Sequence, residues 1–335
     1  MSGSVLWHAT LFIFRSTLRN RAALALTLVA VALAAASVGT RIGRFPDVVG
    51  KAQPKDVKVL VEEPTPERVT SWAYQFQMSH PESQGMIEPS LLFGAVADRS
   101  DFSAPALDGV LLFAFALAAL FVGVGLSPGG QGPSLTLLSA PVRKTTLYLA
   151  HALALLGYVV CLCAAAWAAC ALVLVAAFGA PQAALGQLSR VFLFTLPYVA
   201  ALSCMGLFLG VLFRGKAAAL VAGTVLVVFL TTVCPNLFRL MTESYVVTHR
   251  EEINRASQSG SEPRDLAYVA VKLARHTPSV ALYYILWSIA PATCSNCRGS
   301  SSRVIPSECL ALGAAALVPL LLGGVVFARR EVTDA

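Results

Sequence analysis

Four groups of residues have types and spacing that touch known chemistry. Gly210-Val-Leu-Phe-Arg-Gly215-Lys216 matches the first seven positions of a phosphate-binding loop, in which backbone N–H groups cradle phosphates and the lysine reaches them. Ala217 stands where the hydroxyl that holds Mg²⁺ is needed, and an apolar run precedes the loop in place of a strand, so Arg214 and Lys216 read as charged anchors. Cys294 and Cys297 form a CxxC, with Cys309 further on. A structural zinc site normally takes four ligands, and no second pair is present, which leaves a disulfide, free thiols, or metal or redox chemistry open at these three residues. Gly206 and Gly210 form a GxxxG, the spacing that lets two helices approach closely, within a subunit or across a dimer. His151 lies in an apolar run with no acid near it and reads as a structural histidine.

The acids are more telling by where they do not occur. No Asp or Glu lies between Asp108 and Glu243, and Glu308 is expected only at the outer edge of the last apolar run. Proton-driven carriers and aspartyl intramembrane proteases generally need carboxylates inside the membrane, so a self-sufficient secondary carrier is the least favoured reading. The chain is expected to hold no catalytic residue, no cofactor and no metal of its own.

The elements that carry these residues follow from hydropathy. Of 335 residues, 56% are hydrophobic and 13% charged, about half the charge of an ordinary soluble domain, and the mean hydropathy is +0.70. Six charge-poor runs are long enough to span a bilayer: Ala22 to Thr40, Leu107 to Leu126, a stretch within Leu147 to Ala180, Val191 to Phe213, Ala217 to Cys234, and Ile305 to Ala328. The fold expected is an all-α polytopic membrane protein. Basic residues before the first run (Arg15, Arg19, Arg21), between the second and third (Arg143, Lys144), between the fourth and fifth (Arg214, Lys216) and after the sixth (Arg329, Arg330) share one side only if there are six spans with both termini cytoplasmic. Part of the net charge of +7 is then this cytoplasmic surplus; the basic residues form no face of the kind that binds nucleic acid.

Organisation along the chain follows. Residues 1–21 form an amphipathic helix on the inner surface, and 22–40 the first span. Residues 41–106 form an outer module in which Val57, Val59, Val61 and then Trp72, Tyr74, Phe76 alternate as in half-buried β-strands. Residues 107–235 hold spans two to five with a cytoplasmic loop at 127–146. Residues 236–304 form a second outer loop, with a possible helix near Asp265 to His276 and an apolar segment, 278–292, too short to cross comfortably and read as interfacial or re-entrant. Residues 305–328 form the last span and 329–335 a cytoplasmic tail.

The loop between spans two and three carries the clearest signature. Its stretch LLSAPVRKTTLYLAH resembles the corresponding segment of ABC-2 type transporter permeases. The resemblance extends to the surface helix with Trp7 and Arg19-Asn20-Arg21, the acid-poor core, the tight turn after the fourth span and the basic cap FARRE. It departs from the family where Pro128-Gly129-Gly130-Gln131 replaces an acidic position. The resemblance implies the membrane subunit of an ATP-driven transporter, an exporter resident in a bacterial inner (plasma) membrane, working as a homodimer or as a heterodimer with a related permease. ATP is then bound by a separate ATP-binding-cassette ATPase, docked on Leu135, Leu137, Leu138, Ser139, Pro141, Arg143 and Lys144. A component of the same fold that relays ATPase-driven motion to an extracytoplasmic partner is the alternative.

Overall fold

The computed structural model describes residues 3–51, 109–128, 143–178, 182–213, 215–248, 266–289 and 298–329. They are almost entirely helical, with no strand among them. In chain order the helices are α1 (Gly3–Arg19), α2 (Arg21–Lys51), α3 (Gly109–Gly125), α4 (Lys144–Phe178), α5 (Gln182–Leu212), α6 (Lys216–Val228), α7 (Cys234–Thr248), α8 (Leu266–Arg275), α9 (Pro278–Ile289) and α10 (Arg298–Arg329). A π-helical segment, Phe229–Val233, joins α6 to α7.

Among the described residues, five stretches are long and apolar enough to cross a membrane: Arg21–Gly39, Lys144–Ala176, Leu188–Leu212, Lys216–Phe238 and Ser307–Arg329. The second of the expected spans is α3, a 17-residue apolar helix at the short end of what a bilayer accepts. Exposed Leu, Val and Phe side chains cover the outward faces of these helices, as a lipid solvent requires: Leu28 and Val29 on α2, Val221 and Val225 on α6, Leu317 and Leu321 on α10.

α5 is the central element. Of its apolar window 67% is buried, against 17% for that of α10. It packs on α3, α4, α6, α9 and α10. The α3–α5 contact is backbone on backbone. A methyl group at Gly123 would collide with the Ser203 carbonyl and stand 2.9 Å from the Leu207 nitrogen; one at Gly206 would strike Leu120. The GxxxG therefore serves packing inside this chain, with Gly123 as its reciprocal notch.

Several helices exceed the apolar runs that announced them. α2 continues to Lys51, so residues 41–51, expected in the outer module, are helical. The alternating segments around Val57 and Trp72 lie outside the described residues. α4 has 35 residues, roughly 52 Å at 1.5 Å each, well beyond a ~30 Å hydrocarbon core. The fifth run also continues, through the π-helical segment into α7. Pro235 explains that segment: it lacks an N–H and its ring crowds the carbonyl four residues back, so the preceding turn widens instead of breaking.

The segment at 278–292 holds α9, which has 12 residues, about 18 Å and too short to cross. It is packed into the bundle, with Val280, Ala281, Leu282 and Ile285 buried and the Tyr198 and Ser279 hydroxyls 3.3 Å apart across α5 and α9. α8 is present near the expected position, but Val269 and Leu273 on its apolar strip are exposed.

Candidate functional site

One end of the bundle carries Arg143, Lys144, Lys216 and Arg329. Tyr148, one turn into α4, donates its hydroxyl to the Leu320 carbonyl of α10 at 2.9 Å, and its ring stacks on Phe327 with centroids 6.0 Å apart. This sets the start of α4, with Arg143 and Lys144, and the end of α10, with Arg329, at the same end of the two helices. At the same end, Gly210 of α5 abuts Ser127 just after α3, and Lys216 opens α6 a few residues later. Arg143 is exposed; Leu135, Leu137, Leu138, Ser139 and Pro141, together with Arg214 and Arg330, lie outside the described residues.

α1 reaches the same region. Ala9 and Ile13 pack with Ala150, Ala154 and Leu126, and Phe14 lies over Gly157. The helix expected on the inner surface thus runs alongside the first part of α4. Trp7 and Leu18 are exposed on one strip and Arg15 and Arg19 on another, so its three sides face protein, an apolar medium and a polar one. Asn20 caps the next helix, accepting the Ala22 N–H at 3.0 Å, and Tyr158 of α4 fastens α2 by donating to the Ala23 carbonyl at 3.2 Å while touching the Thr27 hydroxyl.

The phosphate-loop match does not form a phosphate cradle. Gly210 lies inside α5, packed on α3, and a helix rather than a strand leads into the turn. His151 is buried and its Nδ1 sits 2.8 Å from the Leu147 carbonyl one turn back, the arrangement of a structural histidine. Cys309 is half-buried and has no disulfide partner among the described residues; Cys294 and Cys297 lie outside them. No group of His, Cys, Asp and Glu among the described residues is arranged to hold a metal ion.

The opposite end holds a feature that the sequence did not announce. Glu308, near the start of the last span, is fully buried, and its Oε1 lies 2.8 Å from Arg275 Nε at the end of α8. The N–H is not aligned on that oxygen, so this contact is an ion pair rather than a hydrogen bond. Ser307 donates its hydroxyl to the other carboxylate oxygen at 2.8 Å. The available signal was a single acid inside an apolar run, since ionisable residues at membrane depth are costly and normally paired. No family model and no curated protein sequence matches this chain.

Proposed function

We propose that this chain is the membrane subunit of an ATP-driven transporter, with α3 as the sixth span and the basic end of the bundle facing the cytoplasm of a bacterial inner membrane. The observation that carries the reading is the convergence of Arg143, Lys144, Lys216 and Arg329 on one end, with α1 packed beside it. Retention of basic residues on the cytoplasmic side then orients the bundle, and both termini fall inside. Residues 129–142 connect the end of α3 to the start of α4, and the corresponding segment is where an ATPase must push in the permeases whose LLSAPVRK segment this chain resembles. A separate ATP-binding-cassette ATPase supplies the hydrolysis, and a second permease copy or a related subunit completes the assembly. The substrate moves outward as the packed helices change their exposure.

The test is co-purification of the ATPase with a Leu137→Ala, Leu138→Ala variant at unchanged expression. Burying a leucine side chain is worth about 1.5–3 kcal/mol, so losing part of two such contacts weakens association about tenfold or more. Undiminished association and ATP turnover refutes docking at this loop.

The Arg275–Glu308 pair favours a second reading, because it ties an outer helix to the last span. In that reading the same fold relays ATPase-driven motion to an extracytoplasmic partner and carries no solute. ATP-dependent accumulation of a solute in vesicles supports the first; ATP turnover that responds only to an added outer protein supports the second.

A further inference from the structure

The last span has a weak stretch near its basic end. Pro319 has no N–H, so the Ala315 carbonyl loses its partner one turn on, and Gly323 with Gly324 places two poor helix formers in succession a turn later. Proline and paired small residues are the usual causes of helix bending. Tyr148 of α4 lies over this stretch. Its hydroxyl donates to Leu320, and its ring stacks on Phe327 on the far side of the glycines. The absence of side chains makes the room: a methyl at Gly323 would collide with the tyrosine hydroxyl, and one at Gly324 would stand 3.3 Å from a ring carbon. Tyr148 is four residues past Lys144, about 6 Å along the helix.

We propose that Tyr148 is a positioning residue that clasps a hinge at Pro319–Gly324 of α10 and passes displacement of the Arg143–Lys144 end of α4 to the last span. When the start of α4 moves, the clasp carries the segment from Leu320 to Arg329 with it. The outer part of α10, held by Arg275 at Glu308 and by α5 and α9, stays in place. The last span then works as a lever whose short arm is on the basic side. This deepens the transporter reading, resting on it only in taking that end of α4 as the driven one.

Amide hydrogen exchange over residues 320–329 tests the clasp in the full chain, in phosphatidylcholine nanodiscs, with α5 amides as the control for intact folding. Tyr148→Phe keeps the ring and loses the hydroxyl; exchange in the segment is expected to rise about three- to tenfold, the range for one hydrogen bond. Pro319→Ala restores the missing bond, so it lowers exchange alone and offsets Tyr148→Phe when the two are combined. Replacing Arg143 and Lys144 by Gln perturbs the driven end. It is expected to change exchange in 320–329 by threefold or more when Tyr148 is present and by less than twofold in the Tyr148→Phe background. An equal response in both backgrounds, or no effect of Pro319→Ala, overturns the proposal. None of these measurements involves the ATPase, so failure of the clasp and failure of the transporter reading, which is read by co-purification, are separate results.

Discussion

The Arg275–Glu308 pair makes an asymmetric prediction. The two partners are unequally sheltered, since the Glu308 side chain is fully buried and that of Arg275 is 31% exposed. Removing one member of a buried pair costs about 3–5 kcal/mol, because the remaining charge has lost its compensation inside a low-dielectric medium. Arg275→Gln strands the carboxylate, which water does not reach and which, among the described residues, keeps Ser307 and gains the new amide, so the cost is expected near the low end of that range, about 3 kcal/mol. Glu308→Gln leaves the guanidinium, which is already partly in water and can swing further out, so about 1–2 kcal/mol is expected, between an exposed pair and a buried one. The double variant, with two neutral amides able to bond each other, should be more stable than Arg275→Gln alone. The assay is thermal unfolding in detergent micelles followed by tryptophan fluorescence, paired with protease nicking of residues 249–265, a stretch that leads into α8. Arg275→Gln should speed nicking more than Glu308→Gln does. Equal costs for the two single variants, or a double variant whose cost is the sum of both, would show that burial of the carboxylate does not govern the pair.

Two further outcomes follow from packing and charge. Gly123→Ala drives a methyl into the Ser203 carbonyl and Leu207 of α5 and is expected to cost about 1–3 kcal/mol or more, whereas Gly125→Ala on the same helix meets nothing within 4 Å and should be neutral or slightly stabilising in the same unfolding assay. Reporter fusions at positions 138, 215 and 333 should score cytoplasmic and those at 75 and 260 external; a reversed score at 333 removes the six-span arrangement.

The apolar runs were readable because a span must be free of charge along about twenty residues, and α2, α4, α5, α6 and α10 all appear where those runs lie. Their ends were not readable by the same rule. Apolarity stops at the membrane, but a helix continues as long as its backbone bonds are made, which takes α2 to Lys51 and carries the fifth run on to Thr248. α10 likewise begins at Arg298, before its apolar stretch. Gly206 and Gly210 announced close packing, but their partner, Gly123, belongs to another helix, and no local pattern identifies it. Glu308 was visible as an acid beside an apolar run, and its burial was not, because that depends on Arg275 in a polar loop 33 residues earlier. Tyr148 carries no distinguishing signal in the sequence around it. Its importance comes from two glycines at the far end of the chain.

The dependence of α1 and α2 on α4 also orders events during synthesis. Tyr158, which holds Ala23 and Thr27, follows Thr27 by 131 residues. At roughly 5–20 residues per second, the ribosome needs about 7 to 26 s to deliver it after Thr27 is made. Ala150 and Ala154, on which Ala9 and Ile13 rest, emerge only shortly before. For that interval the first two helices have none of these α4 contacts. In that interval Arg15, Arg19 and Arg21, as basic residues flanking an apolar run, are expected to contribute to their orientation. Neutralising those arginines is therefore expected to act chiefly on the nascent chain, lowering the yield of inserted protein more than the stability of the assembled bundle.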